Sequence, residues 1–430
     1  MMPEWDVAEM IDRRMALARE WEQLVKQVRG LDGFADFLRP PRLSTLLPAA
    51  AEGPVAVVNL SQRRCDVLLV RPDGVEVEGL SSLTLESVVD RTNDYLGALR
   101  RYDQATWELY LARRRFDDGD NGPDTTRQYT RAKKELVESG RIRDRTLRDI
   151  HRWLWDEIAE RTLAALGLTA APGPGQLWPR LWWCPTGPLT LLPLHAAGHH
   201  GAAGDDAVLD RAVSSYTPTL RALLEARRPM PQAPEHERML IVALPDAPEQ
   251  VPLENVVRER DLIVSLFPDR HTLLDESATT GVVRAELSRH RWAHFSCHGS
   301  QNLADPSQGG LILRDESLTI ADVSAQQHDG EFAFLSACMT AVGGVRLPDE
   351  AITLAAALHF TGYRQVIGTM WAVHDQTAAD VAAMVYTDLT ATGRFDPKRS
   401  ARSLHAAIRH LRDVAGAPAH AWTPFIHLGA

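Results

Sequence analysis

The chain has 430 residues, enough for two or three domains of ordinary size. With 44% hydrophobic and 24% charged residues, its composition is that of a globular protein rather than a disordered or fibrous one. The 47 Lys and Arg are outnumbered by 57 Asp and Glu, and the net charge of −10 argues against a nucleic-acid or anionic-membrane binder, because such proteins present a net basic face. We find neither a signal peptide nor an apolar run of ~20 residues, and therefore expect a cytoplasmic protein.

The chain has four cysteines, Cys65, Cys184, Cys297 and Cys338. They are too few and too widely spaced for a disulfide framework, and without a CxxC pair a structural zinc site is not expected. The sequence therefore predicts reduced thiols, one of which is a candidate for reactivity.

The first 237 residues predict a helix, a β-meander and two long helices. The helix covers about residues 6–28 and is followed by a proline-rich linker; the strands are Val55–Leu60, Asp66–Arg71 and Val75–Glu78; the long helices are about Leu85–Arg115 and Arg127–Leu166. Between the long helices, Asp117–Asp124 has no apolar residue to bury and predicts an exposed loop, with a processing site as the alternative. We assign residues 1–53 to an N-terminal helix and linker, and 54–237 to an α/β regulatory half with a long helical hairpin.

From Arg238 onward, short continuous apolar runs alternate with amphipathic stretches. The predicted strands are Met239–Leu244, Trp292–Cys297, Leu311–Leu313, Phe332–Ala337 and Gln365–Trp371, and the predicted helices are about Asn255–Leu266, Thr279–Arg289, Glu350–Phe360, Thr377–Ala391 and Ser400–Val414. This alternation predicts an α/β fold whose mainly parallel sheet is covered by helices on both faces. We place a catalytic domain at residues 238–430.

Two of these strands run directly into reactive side chains. Trp292–Cys297 is followed by His298 and Gly299, and Phe332–Ala337 is followed by Cys338. Because ligand sites of open α/β sheets lie beyond the carboxyl ends of the strands, His298 and Cys338 are expected on the same rim. An imidazolium beside a thiol lowers the thiol's pKa, so Cys338 is a candidate nucleophile and His298 a candidate general acid and base. The backbone N–H groups of Gly299 and Cys338 are a candidate oxyanion hole.

Either residue alone at the end of an apolar strand is usually structural, and the hypothesis depends on their conjunction. Strand alternation directs Cys297 to the opposite face, and Cys65 and Cys184 lack the glycine-rich context of a reactive thiol. The stretch His195–His200 has a metal-like spacing but is rich in Gly and Ala, so we expect a surface loop without a metal. No GxSxG, HExxH, P-loop or GxGxxG pattern occurs.

Four motifs resemble, in order, signatures of the CHAT family. They are HFSCHG (His294–Gly299), LSACMT (Leu335–Thr340), the helix-opening pair Asp349-Glu350 and GTMWAVHD (Gly368–Asp375). CHAT proteins are caspase-like cysteine peptidases of the clan that includes caspases, metacaspases and separase. The resemblance covers about Met239–Leu428 and extends more weakly upstream. It implies a caspase-like fold with a pseudo-caspase-like N-terminal half, His298 as the catalytic histidine and Cys338 as the nucleophile.

The resemblance also bears on substrate and partners. Clan members that cut after Arg or Lys place acidic side chains in the pocket for that residue, and here Asp305, Asp349, Glu350 and Asp375 follow rim strands. For Asp349 and Glu350, stabilisation of a helix N-terminus is an equal alternative. Tetratricopeptide repeats often precede the peptidase in this family, whereas only one clear helix precedes the first strand here. Three alternatives stay open for the part that senses an activating signal: it is absent, it resides on another chain as an upstream sensor or activator, or it belongs to a longer protein.

We therefore predict a cysteine endopeptidase that needs no metal or organic cofactor. The resemblance implies that it cleaves a partner protein in bacterial defence or regulated cell death. Two other classes stay open: a binding or scaffold module on a peptidase fold, and a Cys–His acyl transferase that acts on small molecules.

Overall fold

The computed structural model describes residues 7–31, 34, 37–119, 122–201, 206–229, 238–248, 250–302, 305–337, 340 and 353–430. The chain divides into two compact units, Met1–Pro48 and Ala49–Ala430. The first unit contains helix α1 (Val7–Arg29), as predicted, and the short helix α2 (Leu43–Leu46). In the part of the chain that is described, no helix is both long and apolar enough to cross a membrane. The domain boundaries drawn from the sequence stay predictions.

The second unit alternates strands and helices. Its strands are β1 (Val55–Asn59), β2 (Asp66–Arg71), β3 (Gly74–Gly79), β4 (Arg180–Pro185), β5 (Val213–Tyr216), β6 (Met239–Ala243), β7 (Arg270–Leu274), β8 (Trp292–Ser296), β9 (Gly299–Ser300), β10 (Gly310–Ile312), β11 (Ser317–Thr319), β12 (Phe332–Ser336), β13 (Gln365–Thr369) and β14 (Phe425–Gly429). Its helices are α3 (Leu85–Asp117), α4 (Pro123–Leu154), α5 (Glu160–Ala165), α6 (Leu220–Ala226), α7 (Val256–Leu266), α8 (Thr280–Leu287), α9 (Ile320–Ser324), α10 (Leu354–Phe360), α11 (Asp375–Thr390), α12 (Ser400–Arg409) and α13 (Ala419–Trp422).

Eleven strands form one sheet in the order β3-β2-β1-β4-β5-β14-β13-β12-β8-β6-β7. Neighbours are parallel except at β3/β2, β2/β1 and β14/β13, which confirms the predicted mainly parallel sheet. The last strand in sequence, β14, lies in the middle of the sheet between β5 and β13. The predicted strand around Leu311 instead belongs to a separate sheet, β11-β10-β9, where Gly310 allows the backbone of Leu318 to approach closely.

The two faces of the sheet bury different cores. On β8 and β12, Ala293, Phe295, Cys297, Ala333 and Leu335 face a core shared with α3, α4, α8 and α10. The alternate residues Trp292, Phe332 and Phe334 face a second core, shared with α7, α11 and α12. This alternation follows from the period of two of an extended strand, and it confirms helices on both faces.

Helices α3 and α4 form the predicted long hairpin. They contain 33 and 32 residues, which corresponds to about 50 Å each. Small residues, Ala105, Ala112 and Ala132, are buried along the outer part of the hairpin, where they let the two helices approach closely. The beginning of the predicted loop, Asp117–Gly119, is exposed. Helix α4 begins at Pro123, earlier than predicted, because proline suits the first turn of a helix.

Candidate active site

Strands β8 and β12 are parallel neighbours at the centre of the C-terminal half of the sheet. Their backbone pairing runs in register and ends with Ser296 opposite Ser336. Each of these serines precedes a predicted dyad residue by two positions, His298 after Ser296 and Cys338 after Ser336. Cys338 lies outside the described residues, as do the predicted pocket residues Asp349 and Glu350.

His298 is partly exposed, and its ring orientation is set by one backbone carbonyl. Its Nε2 lies 2.7 Å from the carbonyl oxygen of Val251. Because a carbonyl oxygen only accepts, Nε2 carries the hydrogen, and Nδ1 holds the lone pair of the neutral ring. Burial lowers the pKa of His298, while the bond to Val251 and the charge of Asp375 act in the opposite direction, with a net decrease. A neutral imidazole can therefore accept a proton at Nδ1.

Asp375 is the first residue of α11 and lies close enough to act on the charge of His298. Its Oδ2 accepts hydrogen bonds from the backbone N (2.8 Å) and side-chain Nδ2 (3.1 Å) of Asn255, and its Oδ1 accepts one from the backbone N of Gln376 at 2.8 Å. Burial alone would raise the pKa of Asp375, but these hydrogen bonds outweigh it and keep the pKa below its usual value. Asp375 is thus a charged group that links the starts of α11 and α7.

The other described candidates have more local contacts. Gly299 lies in β9, paired with Leu311 of β10, and the carbonyl of His298 accepts a hydrogen bond of 2.8 Å from the backbone N of Ile312. Asp305 is exposed, and its Oδ1 accepts a hydrogen bond of 2.6 Å from Ser307 within the same loop. The roles predicted for these residues stay predictions.

Glu259 on α7 is a buried carboxylate, 3% exposed, that belongs to none of the motifs recognised in the sequence. Its Oε2 accepts hydrogen bonds from Ser296 Oγ and, at 3.1 Å, from Ser336 Oγ. Its Oε1 lies 3.3 Å from Nε2 of His294. One signal was present: Val256, Glu259 and Ile263 have the spacing of the buried face of a helix, so Glu259 occupies a position where an apolar residue is expected.

A small cavity of about 30 Å³, large enough for a water molecule, adjoins this carboxylate. The lining includes Glu259, Cys297, Ser336, Ala337 and Asp375. It therefore lies at the ends of β8 and β12, next to the candidate site.

The remaining cysteines are buried. Burial raises the pKa of the Cys184 thiol to about 12, which disfavours its thiolate. Cys297 is 1% exposed and shares a core with Phe295 and Ala293, as alternation predicts. Cys65 is also buried.

The expectation of a surface loop at His195–His200 is wrong at its start. His195 is buried, with Nδ1 2.9 Å from Tyr216 Oη and Nε2 2.9 Å from the carbonyl of Thr423. These partners come from distant parts of the chain, so the local Gly and Ala content could not reveal them.

A family model and two solved structures relate the chain to known proteins. The CHAT domain family model matches residues 144–430, about two-thirds of the chain. No curated protein sequence matches.

Among solved structures, the chain is similar to two crystal structures of the Saccharomyces cerevisiae separase–securin complex, at 2.6 and 3.0 Å resolution, with TM-scores of 0.57 and 0.55. Identity is 9% in both, over 90% of this chain and 30% of the other, so the chain spans less than a third of that relative's length. At this identity the likeness shows the fold, which confirms the expected caspase-like α/β architecture.

Proposed function

Because the chain belongs to the CHAT domain family, we propose that it is a cysteine endopeptidase with a His298–Cys338 dyad. One observation carries the proposal: β8 and β12 are in-register neighbours, and both dyad residues follow the last paired serine by the same number of residues. Equal offsets from a shared end of two parallel strands favour an encounter of the two side chains.

In the proposed mechanism, Nδ1 of His298 accepts the proton of the Cys338 thiol. The thiolate sulfur attacks the scissile carbonyl carbon and forms a tetrahedral oxyanion, which accepts hydrogen bonds from the backbone N–H groups of Gly299 and Cys338. The imidazolium then donates its proton to the leaving amine as the C–N bond breaks, which leaves a thioacyl-enzyme. Water, deprotonated by His298, hydrolyses the thioester and restores the thiol. Whenever the ring is neutral, the hydrogen bond from Nε2 to the carbonyl of Val251 keeps the hydrogen on Nε2 and leaves Nδ1 as the basic nitrogen.

We also propose that the substrate carries a basic residue before the scissile bond, recognised by carboxylates among Asp305, Asp349, Glu350 and Asp375. Asp375 supports this best, because its lowered pKa keeps it charged beside His298. A charged carboxylate pairs well with a guanidinium or ammonium group. The proposed setting is cytoplasmic, with one dedicated protein substrate in defence or cell-death signalling and an upstream sensor or activator on another protein.

Cleavage of a diverse peptide library, followed by mass spectrometry of the cut sites, tests activity and specificity together. We expect the parent protein to cut after Arg or Lys, and the variants Cys338→Ala and His298→Ala to lose on the order of 10³-fold or more in kcat/KM, since both groups take part in bond making.

Cys297→Ala is the matched control, because it removes a buried thiol one residue from His298 and should retain the parent's cut sites. Equal cleavage by Cys338→Ala and the parent would contradict the proposed mechanism. Acylation of small amines without peptide cleavage would favour the acyl-transferase alternative.

A further inference from the structure

We propose that Glu259 is a positioning residue for the dyad, because its carboxylate joins the carboxyl ends of β8 and β12 through Ser296 and Ser336. The inference rests on the proposed function, since it assigns Glu259 a task only if His298 and Cys338 act together.

Glu259 contacts the two strands at the point where the backbone pairing between them ends. The backbone pairing of β8 with β12 ends at Ser296 and Ser336, and a single oxygen of Glu259 accepts hydrogen bonds from both side chains. Beyond each serine, a single residue, Cys297 or Ala337, precedes the dyad position. The carboxylate therefore fixes the spacing of the strand ends at the last point before the proposed reacting groups.

The same segment also holds the histidine ring. Val251, eight residues before Glu259, accepts the hydrogen bond from Nε2 of His298, and Asn255 between them binds the carboxylate of Asp375. Residues 251–259 thus contact β8, β12, α11 and the His298 ring. One short segment therefore contacts both strands that lead to the candidate site and also the ring of His298.

A network of buried polar side chains adjoins the carboxylate. His294 lies between Tyr386 and Ser296, with Nδ1 3.0 Å from Tyr386 Oη and Nε2 3.2 Å from Ser296 Oγ, and the same Nε2 lies 3.3 Å from Glu259 Oε1. Both His294 and Glu259 are buried. Burying ionisable groups in this way is costly, and apolar residues of similar volume would stabilise the fold as well or better. A role in positioning the strand ends therefore explains this network better than a contribution to the stability of the fold.

The variants Glu259→Leu and Glu259→Gln test this, with Asp261→Asn as the control on the exposed face of α7. Leucine removes both acceptor oxygens, so we expect kcat to fall by about 100-fold, the loss associated with a misplacement of about 1 Å, while KM stays within about twofold. Glutamine keeps an oxygen that both serines can reach and should recover most of the rate. Asp261→Asn should behave as the parent.

A second readout is the rate of alkylation of Cys338 by iodoacetamide at pH 7, followed by peptide mapping. In Glu259→Leu this rate should fall by about tenfold, because Nδ1 of His298 is no longer held where it can accept the thiol proton. A kcat and an alkylation rate equal to the parent's would overturn the inference. If Glu259→Leu does not unfold cooperatively, Ser336→Ala takes its place; we expect a decrease in kcat of about tenfold, and an unchanged kcat would overturn the inference.

The two proposals fail differently. If Cys338→Ala is as active as the parent, the dyad is wrong. If Cys338→Ala is inactive but Glu259→Leu matches the parent in both readouts, only the positioning role is wrong.

Discussion

The imidazole of His298 is held by a hydrogen bond whose direction decides which nitrogen is basic. Val251 offers only an acceptor, so the tautomer is fixed by a backbone atom that no substitution of Val251 removes. Burial lowers the pKa of the ring, and the charge of Asp375 partly offsets this decrease. At neutral pH the ring is therefore neutral and ready to accept a proton.

This balance predicts the acid side of the pH–rate profile. The neutral ring is the active form, so kcat/KM should fall as the pH drops through the lowered pKa of His298, with a midpoint below 6.5. Asp375→Asn removes a charge that raises this pKa, and its midpoint should lie lower still. A profile of kcat/KM against pH measures both midpoints. Asp380→Asn, which removes a carboxylate about one turn further along α11 that pairs with Arg258, is the control. A parent midpoint above 6.5 would contradict this account.

At the residue scale, the sequence predicted those candidate residues whose position follows from the local hydrophobic pattern. His298 and Cys338 were singled out because each follows an apolar strand, and that argument needs no tertiary contact. Glu259 was missed because a Glu in an amphipathic helix usually faces solvent, and its partners Ser296 and Ser336 are 37 and 77 residues away in sequence. Only the assembled sheet shows why a carboxylate occupies that position.

At the scale of elements, the strands that the sequence analysis did not recognise have identifiable reasons. Strand β5 contains the polar pair Ser214-Ser215, and β14 contains His427, so neither is a continuous apolar run. The polar side chains find partners on neighbouring strands. Nδ1 of His427 lies 2.8 Å from Ser215 Oγ, and its Nε2 lies 2.8 Å from Gln365 Oε1. Strand β7 begins with Arg270 and His271 at the sheet edge, where polar residues are tolerated.

The hairpin α3–α4 gives a prediction at this scale. In the described residues of its outer part, the side-chain contacts lie within the hairpin: Arg101 binds Glu135 at 2.8 Å, and Phe116 stacks on Tyr129 with ring centroids 5.8 Å apart. Replacement of residues 105–135 by a short Gly-rich turn should therefore change the Tm by no more than about 5 °C. Calorimetry measures this Tm. Removal of the inner residues Leu96 and Leu99, which belong to the main core, should lower the Tm and serves as the comparison. Loss of cooperative unfolding in the shortened protein would show that the outer hairpin supports the core.

At the scale of the whole molecule, buried histidines connect segments that are far apart in sequence. His195 joins the regions of Tyr216 and Thr423, and His427 joins β14 to β5 and β13. Burial lowers the pKa of His195 to about 4, that of His405 to about 3 and that of His427 well below its usual value. Each of these rings is therefore neutral in the folded protein at pH values where it would be protonated in the unfolded chain.

These buried histidines make the folded protein less stable as the pH falls. Between the folded pKa and about 6.5, the unfolded chain binds more protons, so stability is present above that range and is lost as the pH falls. Each such histidine changes the free energy of unfolding by at most ~1.4 kcal/mol per pH unit. We expect His405→Phe to reduce the slope of unfolding free energy against pH between about 4 and 6, as measured by urea unfolding, with parallel curves above pH 7. Identical slopes throughout would contradict the assignment.

The central place of β14 has a consequence for the order of events during synthesis. Residues 425–429 leave the ribosome after every other strand described here, yet they bridge β5 and β13. Until they emerge, the strand between β5 and β13 is missing, so the strands on its two sides form incomplete sheets, each with an open edge. The C-terminal half of the sheet therefore acquires its full support only after translation of these residues, which delays assembly of the proposed thiol site until then.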